Sequence, residues 1–388
     1  MKKIGLLAFL LVLSLPLRAF FPFFHGARSL ALGYSSLAFN YDVNSLFLNP
    51  ALLATLTVPL AGYQYGDSRL DFRDAADSLA AARAFPLESF QELDEAGRAE
   101  VLAALRGAFA AGPVISGFRA RGPGYAGKGY ALAITTVDAA VVAPLASPLL
   151  DGPDAEVSAA DIAALRVRFT GLRYTDYSLA MGVPLSQGVT LGATLHYLKG
   201  KQSVVDLGLA AEPFTPRADA GDLAQAAWSA AADSFSRLAF DAGAAVDIGP
   251  NFKAGVTVKN ANHPEIDTPA GPLRLARRLV AGLAFRPDPQ LTLVLDVDLA
   301  AAELFPGGGE AQPLALGVEK GLFRNKLLLR AGLWSDLEAK YLVGRRANAL
   351  YGLGCGFNLG HFLIDLALAL DSQGRVKNLG LSGFYALR

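Results

Sequence analysis

The stretch FDAGAAVDIGPNFKAGVTVKN restricts the fold of this chain more than any other feature. Phe240, Ala242, Ala244, Val246 and Ile248 fall on one side of an extended backbone, and Asp241, Gly243, Ala245 and Asp247 on the other. After the turn Gly249-Pro250-Asn251 the alternation resumes. Phe252, Ala254, Val256 and Val258 are set against Lys253, Gly255, Thr257 and Lys259. A period of two across a tight turn reads as two antiparallel strands, each with one apolar face. Related segments recur at 57–72, 114–121, 127–143, 164–184, 188–206, 274–287, 290–300, 312–321, 325–335, 348–360, 361–372 and 376–387. With the quoted pair they make about fourteen strands.

The connections between them alternate in length. Long ones span 73–113, 144–163, 207–237, 261–273, 301–311 and 336–347, separated by short turns such as PLSQG, GPN, RPDPQ, GLFRN and LGH. Only the last hairpin, DSQGR, is short where a long connection is due. Short turns at one end and long loops at the other, with an even strand number, define a transmembrane barrel of the outer-membrane type. A soluble sandwich has no reason to gather its long loops at one end.

The apolar faces agree with this reading. Leu291, Leu293, Leu295 and Val297 oppose Thr292, Val294, Asp296 and Asp298. Leu314, Leu316 and Val318 oppose Ala315, Gly317 and Glu319, while Ile364, Leu366, Leu368 and Leu370 oppose Asp365 and Asp371. A Lys or Arg facing lipid at mid-bilayer costs about 2–4 kcal/mol, so one uncharged face per strand is required. The final segment, KNLGLSGFYALR, directs Leu379, Leu381, Tyr385 and Leu387 outward but ends in Leu387-Arg388 rather than an aromatic residue. Hydrophobic residues make up 52% of the 388, yet after the N-terminus no run reaches the roughly 20 apolar residues of a membrane helix. The apolar content is therefore distributed over strands. With 35 basic and 35 acidic residues the chain has no surplus of positive charge for nucleic acid.

Residues 1–19 read as a secretory signal, with Lys2 and Lys3, an apolar stretch from Ile4 to Leu15, and cleavage after Leu17-Arg18-Ala19; an N-terminal anchor helix is the alternative. No Cys follows the leader, and the single Cys355 excludes an intrachain disulfide framework. These features place the protein in the bacterial outer membrane.

Residues 20–56 are expected to form a plug and residues 57–388 the barrel. Fourteen strands enclose more room than their own side chains fill. The stretch ARSLALGYSSLAFNYDVNSLFLNPALLA, residues 27–54, supplies a filler. DVNSLFL is compatible with one or two helical turns, Asp42, Asn44 and Ser45 offer capping oxygens, and Pro50 interrupts ordinary continuation. A periplasmic lead-in is the plainer alternative. Gly26-Ala27-Arg28, Leu32-Gly33-Tyr34, Asp42 and Asn49-Pro50-Ala51 together resemble the N-terminal hatch of FadL-like outer-membrane transporters. The helical insertion at 74–112 and the segment VKNANHPEID look closer to one branch of that superfamily, the conjugal-transfer TraF-like and PorV-like barrels. The resemblance implies a fourteen-stranded barrel with a plug that includes Gly33, Asp42, Asn49, Pro50 and Ala51. It also implies passive uptake or binding of fatty-acid-like or lipid molecules, often through a side opening. The alternative function is an accessory barrel in a conjugation or secretion complex, with an envelope protein as partner.

Two loop segments read as amphipathic helices. ESFQELDEAGRAEVLAALRGAF carries Leu102, Leu105 and Phe109, and DLAQAAWSAAADSFSRL carries Trp228 and Phe235, all candidates for capture of a hydrophobic ligand. The inward charges are of both signs and are expected to form ladders, with Asp296 and Asp298 placed to cradle a plug base such as Arg28. The four histidines, His25, His196, His263 and His361, are scattered, and no Gly-x-Ser-x-Gly accompanies them. The reading assigns no metal, no cofactor and no catalytic residues.

Overall fold

The computed structural model describes residues 26–68, 92–110, 114–145, 157–208, 233–267, 272–303, 310–337, 349–371, 374 and 376–387. The leader at 1–19 and Trp228 lie outside these residues. Fourteen antiparallel strands close into a barrel. They are β1 (Leu60–Ser68), β2 (Val114–Gly127), β3 (Tyr130–Pro144), β4 (Arg166–Ser186), β5 (Val189–Gly208), β6 (Asp233–Ile248) and β7 (Phe252–Lys259). The circuit continues through β8 (Arg278–Asp288), β9 (Leu291–Asp298), β10 (Pro313–Leu322), β11 (Leu327–Asp336), β12 (Ala349–Leu359), β13 (Phe362–Leu370) and β14 (Val376–Ala386). Each strand pairs with its sequence neighbour, and β1 closes on β14 from Leu60↔Ala386 to Ser68↔Asn378. Closure leaves no edge, so every strand can satisfy its backbone groups within the bilayer.

The faces follow the alternation. Leu293, Leu316, Leu366, Leu381, Phe240 and Val246 point outward and are exposed, whereas Asp241, Asp296, Asp298, Glu319 and Asp365 point into the lumen and are buried. Among the described helices none is long and apolar enough to cross a membrane. A barrel strand needs about 9–11 residues to cross. Strands β7–β14 have 8–11 residues, whereas β4 has 21 and β5 has 20, so the β4–β5 wall projects past the bilayer at the long-loop end.

Two sequence expectations need correction. The second amphipathic helix does not reach Phe235, because β6 begins at Asp233 and Phe235 pairs opposite Gly200 of β5. Pairing along the extended β5 overrides a local helical pattern there, as tertiary context does for weak propensities. The other correction concerns Arg28, which bonds Glu319 rather than Asp296 or Asp298.

Helix α1 (Gly26–Ala31), helix α2 (Ser45–Leu48) and a 3₁₀ helix (Pro50–Thr55) precede the barrel, and their residues from 26 to 53 are buried except for Tyr34, Phe39 and Tyr41, which are partly so. Helix α3 (Glu95–Ala110) and helix α4 (Ala159–Ala164) belong to long loops, where Leu102 and Leu105 on one face of α3 are fully buried. Phe109 lies in the last turn of α3.

Candidate functional site: the lumen and the segment that fills it

Residues 26–55 lie against the inner wall around much of the barrel, and the wall is made of small residues where they touch. Gly182 of β4 and Gly192 of β5 face each other across the ladder, and a β-carbon on either would come within 2.5 Å of the Pro50–Ala51 backbone. Gly317, Gly332 and Gly352 form a second row on β10–β12 and accept the Leu30–Gly33 backbone in the same way. Gly33 itself has φ +66, and a β-carbon there would meet the backbone of Leu333 at 2.5 Å. Both the left-handed backbone and the close approach require glycine at that position. Between the glycine rows, Ala126, Ala131, Ala133 and Ala180 pack on Val43, Leu46 and Leu53. Full burial of a leucine such as Leu46 or Leu53 contributes about 1.5–3 kcal/mol.

Asn49 ends α2 and starts the 3₁₀ helix. Its Oδ1 accepts from the Ala51 N–H at 3.1 Å, and its Nδ2 donates to Ala244 O of the wall at 3.0 Å and to Leu37 O at 3.3 Å. α2 stops at Leu48 and Asn49 is extended (φ −151, ψ 102), so the helical run breaks just ahead of Pro50, as expected of a residue that precedes proline. Pro50 occupies the first 3₁₀ position, where its missing N–H costs nothing. Capping differs from the sequence expectation. Asn44 makes no side-chain cap, and Asp42 Oδ1 accepts the Asn44 N–H at 2.7 Å. Ala51 is fully buried beside Ala245. Asp42 is also buried, and burial raises its carboxyl above the usual range, with Arg28 and the Asn44 N–H working in the opposite direction.

A chain of alternating charges ties α1 to the wall. Arg28 Nε donates to Glu319 Oε2 at 3.0 Å, Arg330 Nε donates to the same oxygen at 2.6 Å, and Arg330 Nη1 donates to Asp365 at 2.5 Å. Arg28 also donates to Phe39 O and Asn40 Oδ1, and its guanidinium lies 4.1 Å from the Tyr41 ring centre. Burial opposes the charge on Arg28, and Glu319 more than offsets it, so the guanidinium stays firmly protonated. Asp296 holds the next stretch by accepting from the Ser36 and Leu37 N–H groups at 2.7 and 2.9 Å. Asp298 pairs with Arg278 at 2.7 Å. The alternation places Gly317 on the inward face without giving it a role, and Arg330 and the other wall glycines of these rows are not singled out by it. Their signal is parity, since they share the inward face of strands whose outward positions are apolar.

Toward the long-loop end, an apolar cluster on β4–β6, β11 and β12 shares the lumen with buried charges such as Lys259, Arg278, Asp298 and Asp336. Leu172, Tyr174, Leu198, Phe235, Trp334 and Leu350 point inward and pack in one cluster with α1 and with loop residues such as Leu273 and Leu275. A cavity of 80 Å³ lies there beside Phe47, Tyr174 and His196, and Asp176, Asp241, Lys259 and Arg278 also line it. It is far below the ≈ 300–1,000 Å³ of a site for a drug-sized ligand. On the short-turn side a cavity of 560 Å³ opens beneath Phe39, Tyr41 and Leu56, lined also by Lys253, Arg286, Asn325 and Asn358. Ser178, His196 and Asp176 meet at the small cavity but do not form a hydrolytic triad. Ser178 Oγ, at 3.1 Å, and Asp176 Oδ2, at 2.9 Å, both address His196 Nδ1, whereas a triad places them on opposite nitrogens. His196 Nε2 instead faces Asp241, which pairs with Lys259 at 3.1 Å. Among the described residues no group of His, Cys, Asp and Glu could hold a metal ion.

On β2, Gly122 and Pro123 lie in unbroken register opposite Thr135 and Ile134, between Arg121↔Thr136 and Gly124↔Ala133, and Gly122 sits directly against the Ile134–Thr135 backbone. Pro123 has no N–H to offer, and Val43 of the plug covers Gly124 from within.

A closed fourteen-stranded barrel with an uncharged outer band and a filled lumen is the fold of an outer-membrane β-barrel, and it is shared with solved channels and transporters that include a FadL homologue. The chain belongs to the family described as "F plasmid transfer operon, TraF, protein", whose model matches residues 46–298. No curated protein matches it. Among solved structures it is similar to the CymD monoaromatic hydrocarbon channel, with 12% identity, TM-score 0.53, and 94% of this chain and 97% of that one covered. It is also similar to the Pseudomonas putida toluene transporter TodX, with 13% identity, TM-score 0.51 and coverage of 95% and 99%. A Pseudomonas aeruginosa FadL homologue gives 12% identity, TM-score 0.51 and coverage of 96% and 99%. At these identities the likeness is one of fold, and the neighbours are channels and transporters rather than enzymes.

Proposed function

We propose that this barrel passively takes up or binds hydrophobic small molecules, with residues 26–54 as its stopper. The observation that carries this reading is the lumen-facing apolar cluster of Leu172, Tyr174, Leu198, Phe235, Trp334 and Leu350 above that segment. The charged groups at the same level are of both signs and pair with one another, as Lys259 does with Asp241 and Arg278 with Asp298, so they do not form the one-signed ring of an ion-selective pore. The structural neighbours named for hydrocarbons and toluene support the same class of ligand. Among the described residues the plug segment is buried against the wall, and the 80 Å³ cavity beside Phe47 holds no such molecule, so passage requires the plug to move. A side route into the bilayer requires Val43 to withdraw and the β2–β3 seam to part beside Pro123, which contributes no N–H to the ladder. The accessory reading rests on the family description, which names a plasmid transfer operon, and on the same closed lumen.

The test is a reversible lock. Val43→Cys with Gly124→Cys, in a Cys355→Ser background, places two thiols where the plug covers the seam. Reduced protein in liposomes should pass a fluorescent apolar probe, oxidised protein should not, and reductant should restore passage. Passage through the oxidised barrel would reject this route. Absence of passage in wild-type and reduced protein alike would favour the accessory reading.

A further inference from the structure

The outer wall of β1–β5 carries a charge pattern that lumenal passage does not use. The exposed apolar face of β4 runs from Leu185 through Val183, Met181 and Leu179 to Tyr177, and Tyr63 of β1 and Tyr197 of β5 lie at the same level. The Tyr177 and Tyr197 rings are 6.2 Å apart. Aromatic girdles mark the boundary of the lipid band in such barrels, so these tyrosines fix where hydrocarbon ends on this side. Immediately beyond them, toward the long loops, two ladder rows cross the wall. The first runs Tyr65–Arg121–Thr136–Thr175–Lys199, and the second Asp67–Arg119–Asp138–Arg173–Lys201. All five cations are exposed. Arg119 pairs with Asp67 and Arg173 with Asp138, whereas Arg121, Lys199 and Lys201 have no carboxylate partner among the described residues.

Strands lie about 4.8 Å apart, and alternate residues on one face roughly 6.8 Å apart. The five cations, on β2, β4 and β5, therefore form a belt of roughly 14 by 7 Å, wide enough to face a disaccharide headgroup. It is one-sided. On β10–β13 the outward residues nearest the long-loop end are Leu314, Ser335, Ala349 and Leu370, all uncharged. A general interfacial preference for cations would have placed them around the whole barrel.

We propose that this belt binds the phosphorylated headgroup of a glycolipid in the outer leaflet of the outer membrane. Arg and Lys donors meet the phosphate oxygens, and the acyl chains lie along the Leu179–Leu185 face below the tyrosines. One molecule thereby touches both the cationic rows and the apolar band, which neither a free anion nor a soluble acidic protein would do. The inference rests on the outer-membrane location and not on uptake through the lumen.

The test uses full-length protein in nanodiscs and native mass spectrometry with diphosphoryl lipid A, its dephosphorylated form and phosphatidylglycerol as probes. Diphosphoryl lipid A should bind in preference to the other two. The triple variant Arg121→Gln, Lys199→Gln, Lys201→Gln should bind it on the order of 100-fold more weakly, each cation near a charged lipid surface being worth about fivefold. The opposite change, Asp67→Asn with Asp138→Asn, should tighten binding, a gain that misfolding cannot imitate. Equal binding by wild type and both variants overturns the proposal, as does binding of phosphatidylglycerol as tight as that of lipid A.

Discussion

At the residue scale, the plug's attachment depends on Glu319, which receives two guanidinium groups while Asp365 receives only one. Glu319→Gln would leave Arg28 and Arg330 buried with a single carboxylate between them. Breaking a buried pair in this way costs about 3–5 kcal/mol. The expected result is lost protection of amides 26–48 in hydrogen exchange while the strand amides stay protected. Normal plug protection in this variant would mean that the ion chain does not hold the segment. Asp42 gives a signed pH effect. Its folded carboxyl titrates above its unfolded value, so ionisation works against docking, and docking weakens as pH rises through the folded value. Plug protection should therefore be greater at mildly acidic pH than at alkaline pH, and Asp42→Asn should flatten that difference. These attachments were only partly legible in the sequence. The inward parity of Glu319 and Asp365 could be read directly, but which base Glu319 would meet depends on where Arg28 arrives, 291 positions away.

At the scale of elements, strand alternation was legible because lipid penalises charge on one face at every second residue. Leu295→Arg places a cation at mid-strand on the lipid face of β9, opposite Leu283 and Leu316, and should cost about 2–4 kcal/mol. It should show as lost heat-modifiable mobility on electrophoresis or as failed assembly. Asp247→Asn is the fitting inward control, since Asp247 is half exposed at the rim and its partner Lys253 is near water. Equal damage from both would mean that the faces are misassigned. Asp241 is unsuitable as a mild control, because it partners buried Lys259 and faces His196. The loop elements were harder to read. The segment before β6 carries a helical pattern in the very residues that pair with β5, and a period of 3.6 cannot reveal that a neighbouring strand extends to meet it.

At the scale of the whole molecule, wall and stopper are separable in their bonding. Each barrel strand is hydrogen-bonded on both sides by other barrel strands, and the ladder closes through β1 and β14 without residues 26–54. The wall nevertheless anticipates the stopper. Its glycine rows leave space for plug backbone, and Asp296, Glu319, Arg330 and Asp365 point into a lumen that only the plug keeps dry. Deleting 26–54 should therefore leave a folded, heat-modifiable barrel in which water hydrates those charges and reaches the 560 Å³ cavity beneath. Such a barrel should conduct ions steadily in planar bilayers, where the full chain stays closed. The double change Asn49→Ala, Pro50→Ala removes the bonds to Ala244 and Leu37 and frees the backbone, while the Arg28–Glu319 attachment remains. It should give brief openings rather than a steady current, because one end of the segment stays tethered. If the deleted barrel folds and remains electrically silent, the apolar cluster at Leu172, Phe235 and Trp334 is itself the seal, and gating must be sought in the outer loops rather than in the plug.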